Sequence, residues 1–333
     1  DMIMDNNTLL NAYGVGGAAR VNIGKMENRG FDLTINYQDV VGDLKYNLST
    51  NITKVTNKIV QLTSNADQRI EGGAFHALEY YTLTEVGSQV GDFWGYEVDG
   101  IFGTQSEIDV LTYTEDGTTY QTYGPTVGPG DYRFKDQLTV DTDGDGIADA
   151  GDGKIDENDK VKIGSPYPDF TLGFTGDLSY KGFDLNLFLY WNHGNEIFNT
   201  VKAFTETPYE QTNMVSYMLT DAWRPDNPDA TIAQLGGDRQ NNYARSSDAY
   251  IESGSFLRFK NISLGYTLPK TISRKIGMEK LRFYAALQNY FTITKYSGRD
   301  PELGSTWGVF VQKADLGNYT IPKTMNFGIN ATF

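Results

Sequence analysis

The tightest constraint in this chain is a period of two, held over long segments. Phe31, Leu33, Ile35 and Tyr37 alternate with Asp32, Thr34, Asn36 and Gln38. Successive side chains of a strand point to opposite faces, so the pattern demands a β-strand with one apolar and one polar side. After a short turn at 40–43, Leu44, Tyr46, Leu48 and Ile52 oppose Lys45, Asn47, Ser49 and Asn51, which predicts a hairpin. Phe170, Leu172, Phe174, Leu178 and Tyr180 line another face before Lys181 and Gly182, a two-residue turn. The returning strand sets Phe183, Leu185, Leu187, Leu189 and Trp191 against Asp184, Asn186 and Asn192. Residues 255–268 alternate but slip phase between Phe259 and Ile262, as a β-bulge causes. Residues 280–293 also alternate, and Met325, Phe327, Ile329, Ala331 and Phe333 carry the pattern to the last residue.

These segments, with 18–27, 74–85 and 92–102, predict about ten strands of roughly ten to thirteen residues, longer than the usual five or six of soluble sheets. That length suits a tilted strand crossing a bilayer. With the last strand ending on the inner side, the turns at 40–42, 86–91, 181–182 and 269–279 are inner and short. The connections at 56–73, 103–167, 195–254 and 294–322 are outer and long; a short link at 26–30 is the exception. Such asymmetry marks outer-membrane barrels. The mean hydropathy of -0.44 does not oppose this, because a barrel strand hides only alternate residues from water. The expectation is an all-β, transmembrane antiparallel barrel. Residues 213–228 add a short helix, with Met214, Tyr217, Met218 and Trp223 at helical spacing before Pro225.

Composition removes several chemistries. There is no Cys, and His76 and His193 are the two histidines, so thiolate sites, a Cys nucleophile and multi-histidine zinc are excluded. A net charge of -15 repels nucleic acid. The run Gly14–Ala19 lacks the third glycine of a phosphate loop and reads as a flexible connector. Residues 141–160 pack eight carboxylates into twenty positions. Asp141, Asp143, Asp145, Asp149 and Asp152 fall at positions 1, 3, 5, 9 and 12 of a calcium-type loop, with Gly146 at the turn and the Ile147 carbonyl at position 7. All-oxygen ligation of high charge suits Ca²⁺. An offset frame through Asp152, Asp156 and Asp159 has Ala148 and Ala150 at its first two ligand positions and is weaker. No flanking helices are read, so this is calcium-loop chemistry without an EF-hand.

The segments "VNIGKMENRGFDLTINY", "VGSQVGDFWGYEVDGIF", "GDGKIDENDKVKIGSPYPDFTLGFTGDLSYKGFDLNLFLYWNHGNEIFN", "SFLRFKNISLGYTLP", "LRFYAALQNYFTITKYSGRDPE" and "MNFGINATF" resemble the C-terminal half of SusC/RagA-type TonB-dependent outer-membrane transporters of the Bacteroidetes. The resemblance implies that residues 18–333 are the C-terminal strands of a barrel of roughly 22, and residues 1–17 a connector from preceding strands. It further implies import of oligosaccharides or peptides, a SusD-like surface lipoprotein as lid, and energy from TonB through an N-terminal plug and TonB box not seen in this chain. It also implies recognition of terminal Phe333 by the barrel assembly machinery.

Aromatics at strand ends (Tyr37, Tyr46, Tyr180, Tyr190, Trp191, Tyr266 and Tyr290) serve as lipid-interface anchors or as sugar-stacking platforms. Tyr123, Tyr167, Trp223 and Trp307 in outer loops, and His193 at a strand end, are candidates for cargo or lid contact. Asp184, Asn186, Asn192 and Gln288 lie opposite the apolar face and are expected to line the lumen. A secreted, calcium-stabilised β-sandwich that binds glycans is the rival reading. A glycoside hydrolase needs two convergent carboxylates, and no such pair stands out.

Overall fold

The computed structural model describes residues 2–6, 19–62, 69–76, 78–206, 213–304 and 307–333. Eight strands make one antiparallel sheet: β1 (Met2–Asn6), β2 (Ala19–Val41), β3 (Leu44–Gln61), β4 (Phe170–Tyr180), β5 (Phe183–His193), β6 (Phe256–Thr267), β7 (Lys280–Thr294) and β8 (Thr324–Thr332). Their spatial order is their chain order, an up-and-down meander.

The register joins the alternating faces into continuous bands. Tyr37 stands opposite Leu48, then Gly176, Leu187, Ile262, Leu287 and Met325 follow strand by strand. On the other face the row runs Gln38, Asn47, Asp177, Asn186, Ser263, Ala286 and Asn326. The expected bulge is present: Phe259 pairs with Leu189 and Asn261 with Phe188, so Lys260 is skipped. Without that extra residue, every side chain beyond it would land on the wrong face. Leu33 at 50%, Ile35 at 55%, Phe327 at 76% and Ile329 at 66% exposure leave the apolar face uncovered. A sandwich would bury that face against a second sheet; a barrel wall turns it to lipid.

Three expectations are corrected. Segments 18–27 and 30–39 are one strand, β2, because Gly30 is extended and lies flat against β3; a Cβ there would stand 2.1 Å from the Lys54 carbonyl oxygen. Segments 74–85 and 92–102 are not wall strands. They break into Thr82–Thr84, Asp92–Gly95 and Val98–Ile101, and the first two join Ile70–Gly72 and Val161–Gly164 in a separate four-stranded sheet. Thr82, Leu83 and Thr84 are all buried, so that segment has no wet and dry faces to alternate between. In 213–228 only Met218–Asp221 is helical, while Met218 and Trp223 still pack inward. Met2–Asn6 pairs with β2 as a strand, and the rest of the expected connector up to residue 17 lies outside the described residues.

With those corrections the asymmetry of the connections sharpens. Gly42 and Asp43 close the first inner turn, and Lys181 and Gly182, both at positive φ, close the second. Residues 268–279 form the third. The outer connections 62–169, 194–255 and 295–323 are all long; the link at 26–30 is part of β2, and the turn at 86–91 is present but lies within an outer connection, joining Thr82–Thr84 to Asp92–Gly95.

Leu187 lies mid-strand on the apolar face. Leu187→Arg is expected to cost about 2–4 kcal/mol of folding into lipid vesicles, read by urea titration. Ser263→Arg, on the polar face, is expected to cost a small fraction of that; equal costs would show that the two faces meet the same environment.

Candidate functional site

The acidic loop is closed by the Val140–Ala150 bridge: Val140 N donates to the Ala150 carbonyl at 2.9 Å and Asp149 N to Val140 at 2.8 Å. Within it, ligand oxygens of Asp141, Asp143 and Asp145 come within 4.8 Å of one another. Asp141 accepts from Gly144 N at 2.6 Å and Gly146 N at 2.8 Å, bonds that hold its carboxyl below the usual carboxylate range. Both glycines sit at positive φ, which the tight loop requires. Ile147 N donates to Asp145 at 2.8 Å. Asp149 turns to the Thr142 hydroxyl and N–H, which lower its pKa in the same way. Asp152 lies beyond the closing bridge and accepts from Lys154 N, so neither it nor Asp149 joins the three. An exposed group of three carboxylates fits a hard cation such as Ca²⁺.

The offset frame gains a member from outside its own stretch. Asp136 Oδ2 accepts from Gly153 N at 2.8 Å, the counterpart of the Asp141 bond to Gly146, while its Oδ1 is buried without a hydrogen-bond partner. Burial raises the Asp136 pKa, and the charges of Asp152 and Asp156 add to the rise. Residues 137–150 intervene in sequence, which is why spacing alone missed it.

Burial divides the aromatic candidates. Tyr123 is 5% exposed, packs edge-on to Phe102 at 4.9 Å, and exchanges hydrogen bonds with the Phe134 backbone; burial lifts its pKa to about 12. Trp223, 8% exposed, lies where a Cβ on Gly130 would meet its ring at 2.5 Å. Both hold the loops together from inside and cannot touch cargo in this conformation. Tyr167 is half-buried and accepts from Gln312. His193 packs between Phe170 at 5.0 Å and Trp191 at 5.4 Å at the outer rim of the apolar face. Trp307 stays 45% exposed, 6.0 Å from Phe75. Among the strand-end aromatics, Tyr190 pairs with Arg258 and so belongs to the polar face and is no lipid anchor, while Tyr290 sits in the register shift of β7 with its ring 5.1 Å from Phe291.

No protein-family model matches the chain. Among curated proteins it is similar to TonB-dependent receptor P3 of Formosa agariphila, 31% identical over 322 residues, covering 94% of this chain and 29% of the relative. TonB-dependent receptor SusC of Bacteroides thetaiotaomicron is 30% identical over 289 residues, covering 85% of this chain and 25% of the relative. Among solved structures, the RagAB peptide transporter superposes with a TM-score of 0.71 at 24% identity, over 95% of this chain and 30% of that one. This chain belongs to the SusC/RagA-type TonB-dependent receptors. It spans less than a third of the length of these relatives.

In the receptor wall, the expected lumen residues keep to the polar face. Asp184 accepts from Arg282 at 2.9 Å, Asn186 donates to Asp177 at 2.6 Å, and Asn192 donates to Asn195 at 2.8 Å. Gln288 pairs with Asn261 and Thr324. Sequence reasoning missed the strongest electrostatic feature there. Arg258, whose side chain is 3% exposed on β6, bonds Thr292 of β7 and reaches Asp300 and Glu302 in the last outer connection; Lys260 also bonds Glu302 at 2.7 Å. One signal was available: Arg258 and Lys260 are charges inside an alternating strand, and a wall residue keeps a charge only with a partner.

Arg258→Ala leaves the buried Asp300 carboxylate without its cation, while Lys260 still holds Glu302, and is expected to cost about 3–5 kcal/mol. Limited proteolysis should then cut within 295–323 faster than in the parent. Unchanged cleavage would show that the ion network does not anchor this connection.

Proposed function

We propose that this chain forms wall and outer mouth of an active importer in the outer membrane of a Gram-negative bacterium of the Bacteroidetes type. The observation that carries it is the uncovered apolar band that runs unbroken from β2 to β8, with every long connection on one side. The work is binding and gated passage of oligosaccharides or peptides, with no covalent bond made or broken. TonB would supply the driving force through the remainder of the receptor, and a SusD-like surface lipoprotein would cover the outer mouth. Phe333, 86% exposed just after β8, would be the residue read by the barrel assembly machinery. The rival sandwich reading gains nothing from the exposed apolar face.

The receptor is expected to require detergent or lipid and to change its gel mobility on boiling. A protein that stays folded and monodisperse in plain buffer would overturn the importer reading.

Within the mouth, Asp141, Asp143 and Asp145 would hold Ca²⁺, completed by solvent and by the Ile147 carbonyl, and the ion would stiffen the 103–167 connection. The cation replaces mutual repulsion of three carboxylates with attraction, which no uncharged group could do. Calorimetric titration is expected to show calcium binding that Asp141→Ala or Asp145→Ala abolishes. Backbone N–H groups hold the Asp141 carboxyl below the ordinary carboxylate range, so that ligand stays available to the ion in mild acid. If a chelator leaves the loop's protease resistance unchanged, the stiffening role is wrong.

A further inference from the structure

Two outer connections, 194–255 and 295–323, meet around a cleft of about 560 Å³, and none of the candidates read from the sequence lines it. Its size falls within the range of small-ligand sites. One wall is the helix α1 (Thr200–Glu206), which contributes Lys202 and Glu206; Tyr217 and Asp221 lie on another side, and Arg299 on the last connection.

Glu206 is the unusual group. It is 1% exposed, and its Oε1 accepts from the Tyr217 hydroxyl at 2.8 Å. Lys202, one helical turn earlier, spends a donor on the Ala249 carbonyl at 3.0 Å, and among the described residues no cation lies within ion-pair distance of Glu206. Burial therefore raises its pKa, with Lys202 and the tyrosine hydroxyl offsetting part of the rise. A buried carboxylate with no cation in direct contact is costly, and a cation delivered by a ligand would relieve that cost. The other acids of the cleft are already committed: Glu252 accepts from Asn199, from the Ser297 hydroxyl and from Ser297 N, Asp315 from the Tyr296 hydroxyl and Gly317 N, and Asp221 from the Thr220 hydroxyl. Arg299, in contrast, is exposed and makes no ion pair among the described residues. Its planar fork suits a carboxylate.

We propose that this cleft binds the charged ends of a short peptide, its ammonium against Glu206 and a carboxylate toward Arg299. The proposal rests on the importer reading and narrows it to peptidic cargo at this subsite. A neutral oligosaccharide fits the chemistry poorly. The one aromatic ring on the wall is Tyr217, whose hydroxyl is already engaged, and a sugar offers no cation to the buried carboxylate.

The test is calorimetric titration of the purified receptor in detergent with trialanine, with N-acetyl-trialanine, with trialanine amide, and with maltotriose. Trialanine is expected to bind, and both Glu206→Gln and acetylation of its amine should weaken it about tenfold or more. Arg299→Gln should weaken trialanine but leave trialanine amide unchanged. Acetylation changes only the ligand, so it decides the matter even if a variant folds poorly. Equal binding of free and acetylated peptide, full affinity in Glu206→Gln, preference for maltotriose, or no binding of trialanine would each overturn the proposal. The gel shift on boiling, measured on the same preparation, reports the barrel separately. Its persistence alongside a failed titration removes the peptide site and leaves the importer.

Discussion

The backbone hydrogen-bond ladder between neighbouring strands governs this molecule. In hydrocarbon an unpaired peptide group has no water to turn to, so each wall strand must be paired along its whole crossing. The meander meets that demand by giving every strand its chain neighbour as partner, and the neighbour across each inner end is reached by turns as short as Lys181–Gly182. Freedom to vary length is thereby confined to the outer side. β2 and β3 continue their ladder well past the apolar stretch that begins at Phe31, so the first hairpin stands above the band as a paired ribbon.

Above the wall, order comes from a different source. The outer connections carry only short strands and build cores between them, one around Tyr81, Phe93, Phe198 and Tyr250, another around Phe102, Tyr123, Tyr132 and Phe134. Polar hubs join them. Asp131, fully buried, accepts from Gly128 N, Asp238 N, Gln234 and Asn242, which ties the first outer connection to the second. Arg258 ties the third to the wall. A charged hub leaves a buried group stranded when one partner goes, so these hubs fix the loops more specifically than apolar contact alone.

This division also explains what could be read beforehand. A strand that faces lipid on one side and a polar lumen on the other must alternate, so β4, β5, β7 and β8, and even the bulge at Lys260, are written in local residue order. Gly30 misled because the same residue serves a tight turn and a close approach of two backbones. The 74–102 segment misled because its aromatics are buried on both sides, and burial without a wet face erases the period. The triad Asp141, Asp143 and Asp145 was legible because its spacing is local. Asp136, the Glu206 cleft and the Arg258 network were not, because each draws on segments far apart in the chain.

The location of the Glu206 cleft follows from the same architecture. The wall is held by a continuous ladder and offers little room to respond to cargo, whereas the outer connections meet through a shared apolar core, isolated backbone bridges and polar contacts. A ligand that spans α1 and Arg299 touches two of those connections at once, and it favours whichever arrangement brings them together in proportion to its differential contacts. Glu252 already bridges the same two connections through Asn199 and Ser297. Cargo bound beside that bridge would add its own charges to a joint that is polar, partly buried and short of one cation, and so would act where the mouth is easiest to bias.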